Sequence, residues 1–114
     1  MTRLNTFPLS YKVKGKRIII VGGTDEALNK VRLVAKTTAS IEIYARQVET
    51  DFSGYDLTVF ERPLAVGDID GAAMVFVADE GADGALAAAE ARRLNIPLNV
   101  VDVPDQCDFY TPSI

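Results

Sequence analysis

"KRIIIVGGTDEALNKVRLV", Lys16 to Val34, decides the fold. Four consecutive β-branched residues, Ile18, Ile19, Ile20 and Val21, read as a strand buried on both faces, because a half-exposed strand would alternate apolar with polar. Gly22 and Gly23 turn the chain. Thr24 is placed as a helix N-cap, and Asp25 and Glu26 fall in the first turn, where carboxylates suit the positive end of the helix dipole. Ala27, Leu28, Val31, Val34 and Ala35 then form an apolar stripe at helical spacing, and the helix is predicted to stop near Thr37-Thr38. Strand, glycine turn and helix in this order form the first unit of a nucleotide-binding α/β sheet. A third glycine of the G-x-G-x-x-G pattern is missing, so the turn has two readings: a cradle for a pyrophosphate, or a tight strand-helix junction with no ligand.

Outward from this unit, "SIEIYA" (Ser40 to Ala45) alternates and reads as a second strand, and "LTVFE" (Leu57 to Glu61) as a third. Arg46 to Tyr55 is polar and holds at most one short helix. Pro63 to Gly71 is a turn-rich connection, and "AAMVFVA" (Ala72 to Ala78) is a second fully apolar strand. "ADGALAAAEARRLN" is strongly helix-forming and stops near Asn95, with Pro97 beyond it. "LNVVD" (Leu98 to Asp102) is the last strand. Upstream, Phe7-Pro8-Leu9 and Val13 are placed along the edge of the sheet.

Strands alternating with helices, two of them apolar throughout, predict an α/β fold. This is a Rossmann-like, doubly wound, parallel five-stranded sheet in the order 3-2-1-4-5, with helices on both faces. Ligands of such sheets sit at the carboxyl ends of the strands, at the switch between the first and fourth. Gly22-Gly23-Thr24, the "VADEG" after the fourth strand and Asp102 after the fifth all arrive there.

The 114 residues suit one domain spanning 1–114, and 48% hydrophobic with 25% charged residues is ordinary for a folded chain. A net charge of −4 with no long basic tract argues against nucleic acid. No apolar run approaches the roughly 18 residues of a membrane span. One cysteine, Cys107, and no secretory signal fit a reducing cytoplasm. The absence of histidine removes histidine triads, histidine-ligated zinc and imidazole proton shuttles. Acid-base work would fall to carboxylates, lysine or tyrosine.

Arg46, at the end of the second strand where an acidic residue would bind a ribose hydroxyl, leaves two readings: a contact to a 2′-phosphate, hence NADP, or a surface arginine. Asp102, flanked by Val101 and Val103, reads either as a partly desolvated general base or as a turn cap before Pro104. Asp102, Asp105 and Asp108 do not have the spacing of a calcium loop, and no metal site is expected.

Taken together, "FPLSYKVKGKRIIIVGG", "ALNKVRLV", "VFVADE" and "RLNIPLNVVDVPDQCDFYTPSI" resemble the N-terminal NAD-binding domain of siroheme synthase, of the precorrin-2 dehydrogenase and sirohydrochlorin ferrochelatase family. The resemblance runs from Phe7 to Ile114 and is weakest from Arg46 to Gly71. It implies NAD-dependent oxidation of precorrin-2 to sirohydrochlorin, in some members followed by insertion of ferrous iron. Asp102 matches the family's key aspartate. Its dinucleotide contacts match Gly22, Gly23, Thr24, Asp25 and Glu26, the region of Arg46 and Gln47, and Ala78 and Asp79. NAD is the implied cofactor, with NADP left open, and a homodimer is implied for full-length members.

Three positions depart from the family pattern: Thr24 replaces a glycine, Glu26 an aliphatic residue and Ala78 a threonine. Family members also continue into a dimerisation segment and a helical domain that help to close the tetrapyrrole cleft, so activity is expected to need residues beyond 114. Precorrin-2 is polyanionic, so a domain of net charge −4 without its partner segment is expected to be poorly equipped to bind it, despite Lys12, Lys14, Lys16 and Arg17. The rival expectation is a non-catalytic interaction domain, or a nucleotide-sensing domain, on the same fold.

Overall fold

A computed structural model describes residues 2–111. Met1 and the "PSI" of the resemblance, Pro112 to Ile114, lie outside the described residues. Five parallel strands form one sheet in the order β3-β2-β1-β4-β5: β1 Arg17–Val21, β2 Ser40–Ala45, β3 Thr58–Glu61, β4 Met74–Val77 and β5 Leu98–Val100. Two helices, α1 Asp25–Val34 and α2 Ala82–Leu94, pack on opposite faces. The expected order and winding are those observed.

The apolar run of β1 explains the layering. Ile18 and Ile20 join one core with Ala27, Leu28, Val31 and Val34 of α1, whereas Ile19 and Val21 join a second with Ala87 and Ala91 of α2. A central strand covered twice has no side for a polar residue, and Ile19, Ile20 and Val21 are wholly buried. Its neighbours are in register, Ile20 opposite Ile43 of β2 on one side and Phe76 of β4 on the other.

Among the described residues each face is covered by one α-helix. The connection after β2 carries no helix and drives Phe52 into the α1-side core; the connection after β3 does the same on the α2 side with Leu64 and Ile69. Single side chains thus fill the volume that a helix fills elsewhere.

Several element ends shift. The first helix stops at Val34, and Ala35 is an exposed C-cap rather than part of the stripe. The Thr37 hydroxyl donates to the Val34 carbonyl at 2.7 Å, closing the end that the sequence placed at Thr37-Thr38. The fifth strand ends at Val100 because β4, its sole partner, ends at Val77; Val101 N–H makes the last ladder bond, to Val77 O at 2.9 Å. Asp102 then adopts a left-handed turn conformation with φ 64°. The third and fourth strands are likewise shorter than read, beginning at Thr58 and Met74. Phe7 and Leu9 form no strand and stay 84% and 67% exposed, although Val13 does pack on the core.

The C-terminal segment is clipped alongside β5. The Asp108 carboxylate accepts from Leu98 N–H at 2.9 Å and from Arg92, Asp108 N–H donates to Leu98 O at 2.7 Å, and buried Asn99 donates to Phe109 O at 2.9 Å. Phe109 meets Phe76 edge to face, with ring centres 5.5 Å apart. Asn99 and Asp108 are therefore fastenings of the fold. No described helix is long and apolar enough to cross a membrane.

Candidate functional site

The glycine turn is shaped first by the backbone around it. Gly22 has φ 141°, and a Cβ there would lie 2.6 Å from the Ala78 carbonyl oxygen. At Gly23 a Cβ would lie 2.0 Å from the Gln47 carbonyl oxygen. Both positions require glycine whether or not a ligand is bound. The same contacts bring the ends of β1, β2 and β4 together: Gly22 N–H donates to Tyr44 O at 2.9 Å, Ala78 N–H to Val21 O at 2.8 Å and Glu49 N–H to Gly23 O at 2.7 Å.

Above these strand ends opens a cleft of about 700 Å³ lined by Gly22, Gly23, Thr24, Glu26, Arg46, Gln47, Ala78 and Asp79. Eight of the nine residues expected to contact a dinucleotide therefore share one cavity. Thr24 takes the N-cap position without a side-chain hydrogen bond, so the first-turn N–H groups of α1 have no cap from it and face the cleft end of the helix. An open turn, a helix start and a cavity of this size fit a dinucleotide in shape.

The ninth residue, Asp25, is committed elsewhere: its carboxylate accepts the Thr50 hydroxyl at 2.7 Å, pinning the loop after β2 to the helix start. Asp79 accepts Gly81 N–H at 2.6 Å and so shapes the turn into α2. That turn is tight, since a Cβ at Gly84 would lie 1.9 Å from the Asp79 carbonyl oxygen. Glu80, from the "VADEG" after the fourth strand, also lines the cleft, as does Glu49, which was not singled out from the sequence. With Glu26 and Asp79 they give it four carboxylates against one guanidinium, Arg46.

Arg46 is itself engaged. Nε donates to Asp83 Oδ2 at 2.9 Å and Nη2 to Asp83 Oδ1 at 3.1 Å, a two-point pairing that raises the arginine further above its ordinary value. Asp83 is 4% exposed, in the first turn of α2. The two residues lie 37 positions apart, so no local pattern announces the pair.

Asp102 lies in a separate place. It lines a smaller cleft of about 260 Å³ with Lys30, Val101, Val103, Cys107 and Tyr110. Val101 and Val103 also line a cleft of about 320 Å³ that reaches Ala78, Asp79 and Glu26, so Asp102 stands across a valine ridge from the α2 side of the site. Its side chain is exposed and has no partner among the described residues, which corrects the expectation of a carboxylate desolvated by the two valines. In the left-handed turn the carboxylate leaves the strand's line and meets solvent.

The basic run lies away from the site. Lys12, Lys14, Lys16 and Arg17 precede or begin β1 and lie toward the amino end of the sheet, opposite the cleft. Arg17 pairs with Glu42 through two hydrogen bonds of 2.9 Å, and Lys16 Nζ lies 4.8 Å from the Tyr11 ring centre. Cys107 is tied into its turn, accepting Val100 N–H at 3.3 Å. Among the described residues no group of three or more metal-ligating side chains is assembled.

Among solved structures, "SirC, precorrin-2 dehydrogenase" aligns with a TM-score of 0.76 at 15% identity, over 95% of this chain and 55% of that one, a likeness of fold. Siroheme synthase of Psychrobacter cryohalolentis is 31% identical over 116 residues, that of Azotobacter vinelandii 33% over 118, and that of Psychrobacter sp. (strain PRwf-1) 36% over 118. Each alignment covers 97% of this chain but only 22%, 25% and 24% of the relative, so the chain spans about a quarter of the length of these proteins. Residues 9–113 match the sequence family described as "Putative NAD(P)-binding", and the chain belongs to that family.

Proposed function

We propose that this chain forms the NAD-binding part of a precorrin-2 dehydrogenase, acting in siroheme biosynthesis. One observation carries the reading: the glycine turn, the start of α1, Arg46-Gln47 and Ala78-Asp79 converge on a single cleft at the switch point between β1 and β4. The siroheme synthase relatives and the resemblance in "NVVD" and "CDF" support the substrate.

NAD bound in this cleft supplies a hydride acceptor. Gly22, Gly23 and Thr24 would let a dinucleotide approach the backbone, and the first-turn N–H groups of α1 would be the ones to hold a pyrophosphate. Gln47 and the carboxylates of the rim offer acceptors for ribose hydroxyls. Removal of two hydrogens from precorrin-2 sends one away as hydride and one as a proton, and Asp102 is the proposed acceptor of that proton. Its exposure in this chain leaves it open to a substrate that further parts of the protein help to enclose. Where ferrous iron is inserted afterwards, the same carboxylate would take a pyrrole proton. A homodimer and a cytoplasmic setting belong to the same proposal.

Dehydrogenation of precorrin-2, followed as NADH formation in the natural protein that carries this sequence, tests the reading. Turnover that falls by about a hundredfold or more in Asp102→Ala supports it; unchanged turnover removes Asp102 from the chemistry. A second reading, a nucleotide-sensing domain, is favoured by the separation of Asp102 from the main cleft. It predicts NAD+ binding with no oxidation of the tetrapyrrole by the same protein.

A further inference from the structure

Among the described residues Arg46 is the single cation on the rim of the main cleft, and its side chain is 58% exposed there. Position alone would make it a receptor for a phosphate group. Its donors say otherwise. An arginine reads a phosphate through the paired N–H groups of its planar fork, and here Nε and Nη2 both go to Asp83. Asp83 lines none of the clefts around the site and is nine-tenths buried behind the arginine, so a ligand entering the cavity meets the guanidinium with its charge already balanced. The remaining charged side chains on that wall are Glu26, Glu49, Asp79 and Glu80.

The geometry points to Asp83 as the residue that makes this site choose NAD over NADP, by occupying the Nε–Nη2 edge of Arg46 and balancing its charge. The inference rests on the dinucleotide reading above and deepens it. The two dinucleotides differ by one group, a 2′-phosphate in NADP where NAD has a hydroxyl. A phosphate brought to this rim would meet four acidic residues and a guanidinium whose charge Asp83 already balances; only the Nη1 side of Arg46 is unspent, and taking the Nε–Nη2 edge as well would leave a buried carboxylate unpaired. A hydroxyl needs neither edge: it donates to a carboxylate, and the Arg46–Asp83 pair stays closed. Asp83 is a specificity-determining residue acting through Arg46, outside the reach of the ligand.

Calorimetric titration of the folded 114-residue chain with NAD+ and, separately, with NADP+ tests the inference. The unaltered protein is expected to bind NAD+ at least about tenfold more tightly, and Asp83→Asn is expected to narrow that ratio by about tenfold through tighter NADP+ binding, with NAD+ affinity little changed. The double variant Arg46→Ala/Asp83→Ala removes both partners and leaves no orphaned charge. It is expected to keep the unaltered ratio, and it keeps the inference testable even where Asp83→Asn does not fold. An unchanged ratio in Asp83→Asn, or a selective loss of NADP+ affinity in the double variant, overturns the role of Asp83 while leaving the dinucleotide site standing. Failure of the folded, unaltered chain to bind either nucleotide overturns both.

Discussion

Two arginine-carboxylate forks stand at opposite ends of the same sheet. At the amino end, Arg17 of β1 grips Glu42 of β2 and also donates to the backbone carbonyls of Asp70 at 2.7 Å and Asp68 at 2.8 Å. At the carboxyl end, Arg46 grips Asp83 and, among the described residues, nothing else. Arg17 makes four hydrogen bonds and is about two-thirds covered, whereas Arg46 is mostly exposed on a cavity wall. The chemistry is shared; the surroundings assign the task. A fork that spends its donors on one loop and a neighbouring strand fastens the fold, and a fork with one partner and an open face is the one proposed to condition a site.

The comparison can be broken at its carboxyl end most forcefully through the glycine turn. Gly23→Ala places a methyl group on the Gln47 carbonyl, and we expect a stability loss of about 3 kcal/mol or more in urea unfolding. A loss below about 1 kcal/mol would mean that the loop after β2 yields, and that the glycine is there for a ligand instead.

Arg17→Ala should come next, at about 2 kcal/mol, because it takes the ion pair from a partly buried carboxylate, leaving it only the Tyr44 hydroxyl, and removes a donor from two carbonyls. Its NAD+ affinity should stay within about twofold, since additivity holds for sites this far apart. A parallel loss of affinity would contradict the separation of the two ends.

A smaller effect reads out in acid. The hydrogen bond from Arg17 holds the Glu42 carboxyl below its ordinary value, and Arg62 does the same for Asp68. A group depressed on folding stabilises the native state above its unfolded value and loses that contribution as pH falls through the depressed one. Stability should therefore decline through and below the ordinary carboxylate range, more shallowly in Glu42→Gln than in the unaltered chain. Equal slopes in the two proteins would remove Glu42 from the acid response.

Smallest of all should be the stability change in Asp102→Asn, within about 0.5 kcal/mol, because asparagine keeps the left-handed turn and the side chain has no partner among the described residues. A larger loss would give the aspartate a structural task that the geometry does not show.

The two ends also differ in how far they can be read from residues alone. The apolar run of Ile18 to Val21 and the stripe of Ala27, Leu28, Val31 and Val34 announce a doubly covered sheet, because burial on two faces leaves a local periodic trace. Topology then carries Gly22, Arg46 and Ala78 to one place without knowledge of a single side-chain contact. Pairing across the fold leaves no such trace. Asp83 reads as an ordinary first-turn helix carboxylate, Arg17 as one more member of a basic run, and Phe52 as an apolar residue in a polar loop. The turn at Asp102 was hidden for another reason: β5 ends where β4 ceases to offer a partner, and strand length set by a neighbour is not written in the strand.

The claim that the β1-β4 switch point is a dinucleotide site is tested most directly by following backbone amide resonances of the chain during titration with NAD+. Saturable shifts concentrated at Gly22 to Ala27, Arg46, Gln47, Ala78 and Asp79, with Arg17 and Glu42 unmoved, are the predicted result. The absence of shifts at saturating NAD+, or shifts confined to the amino end of the sheet, would contradict it.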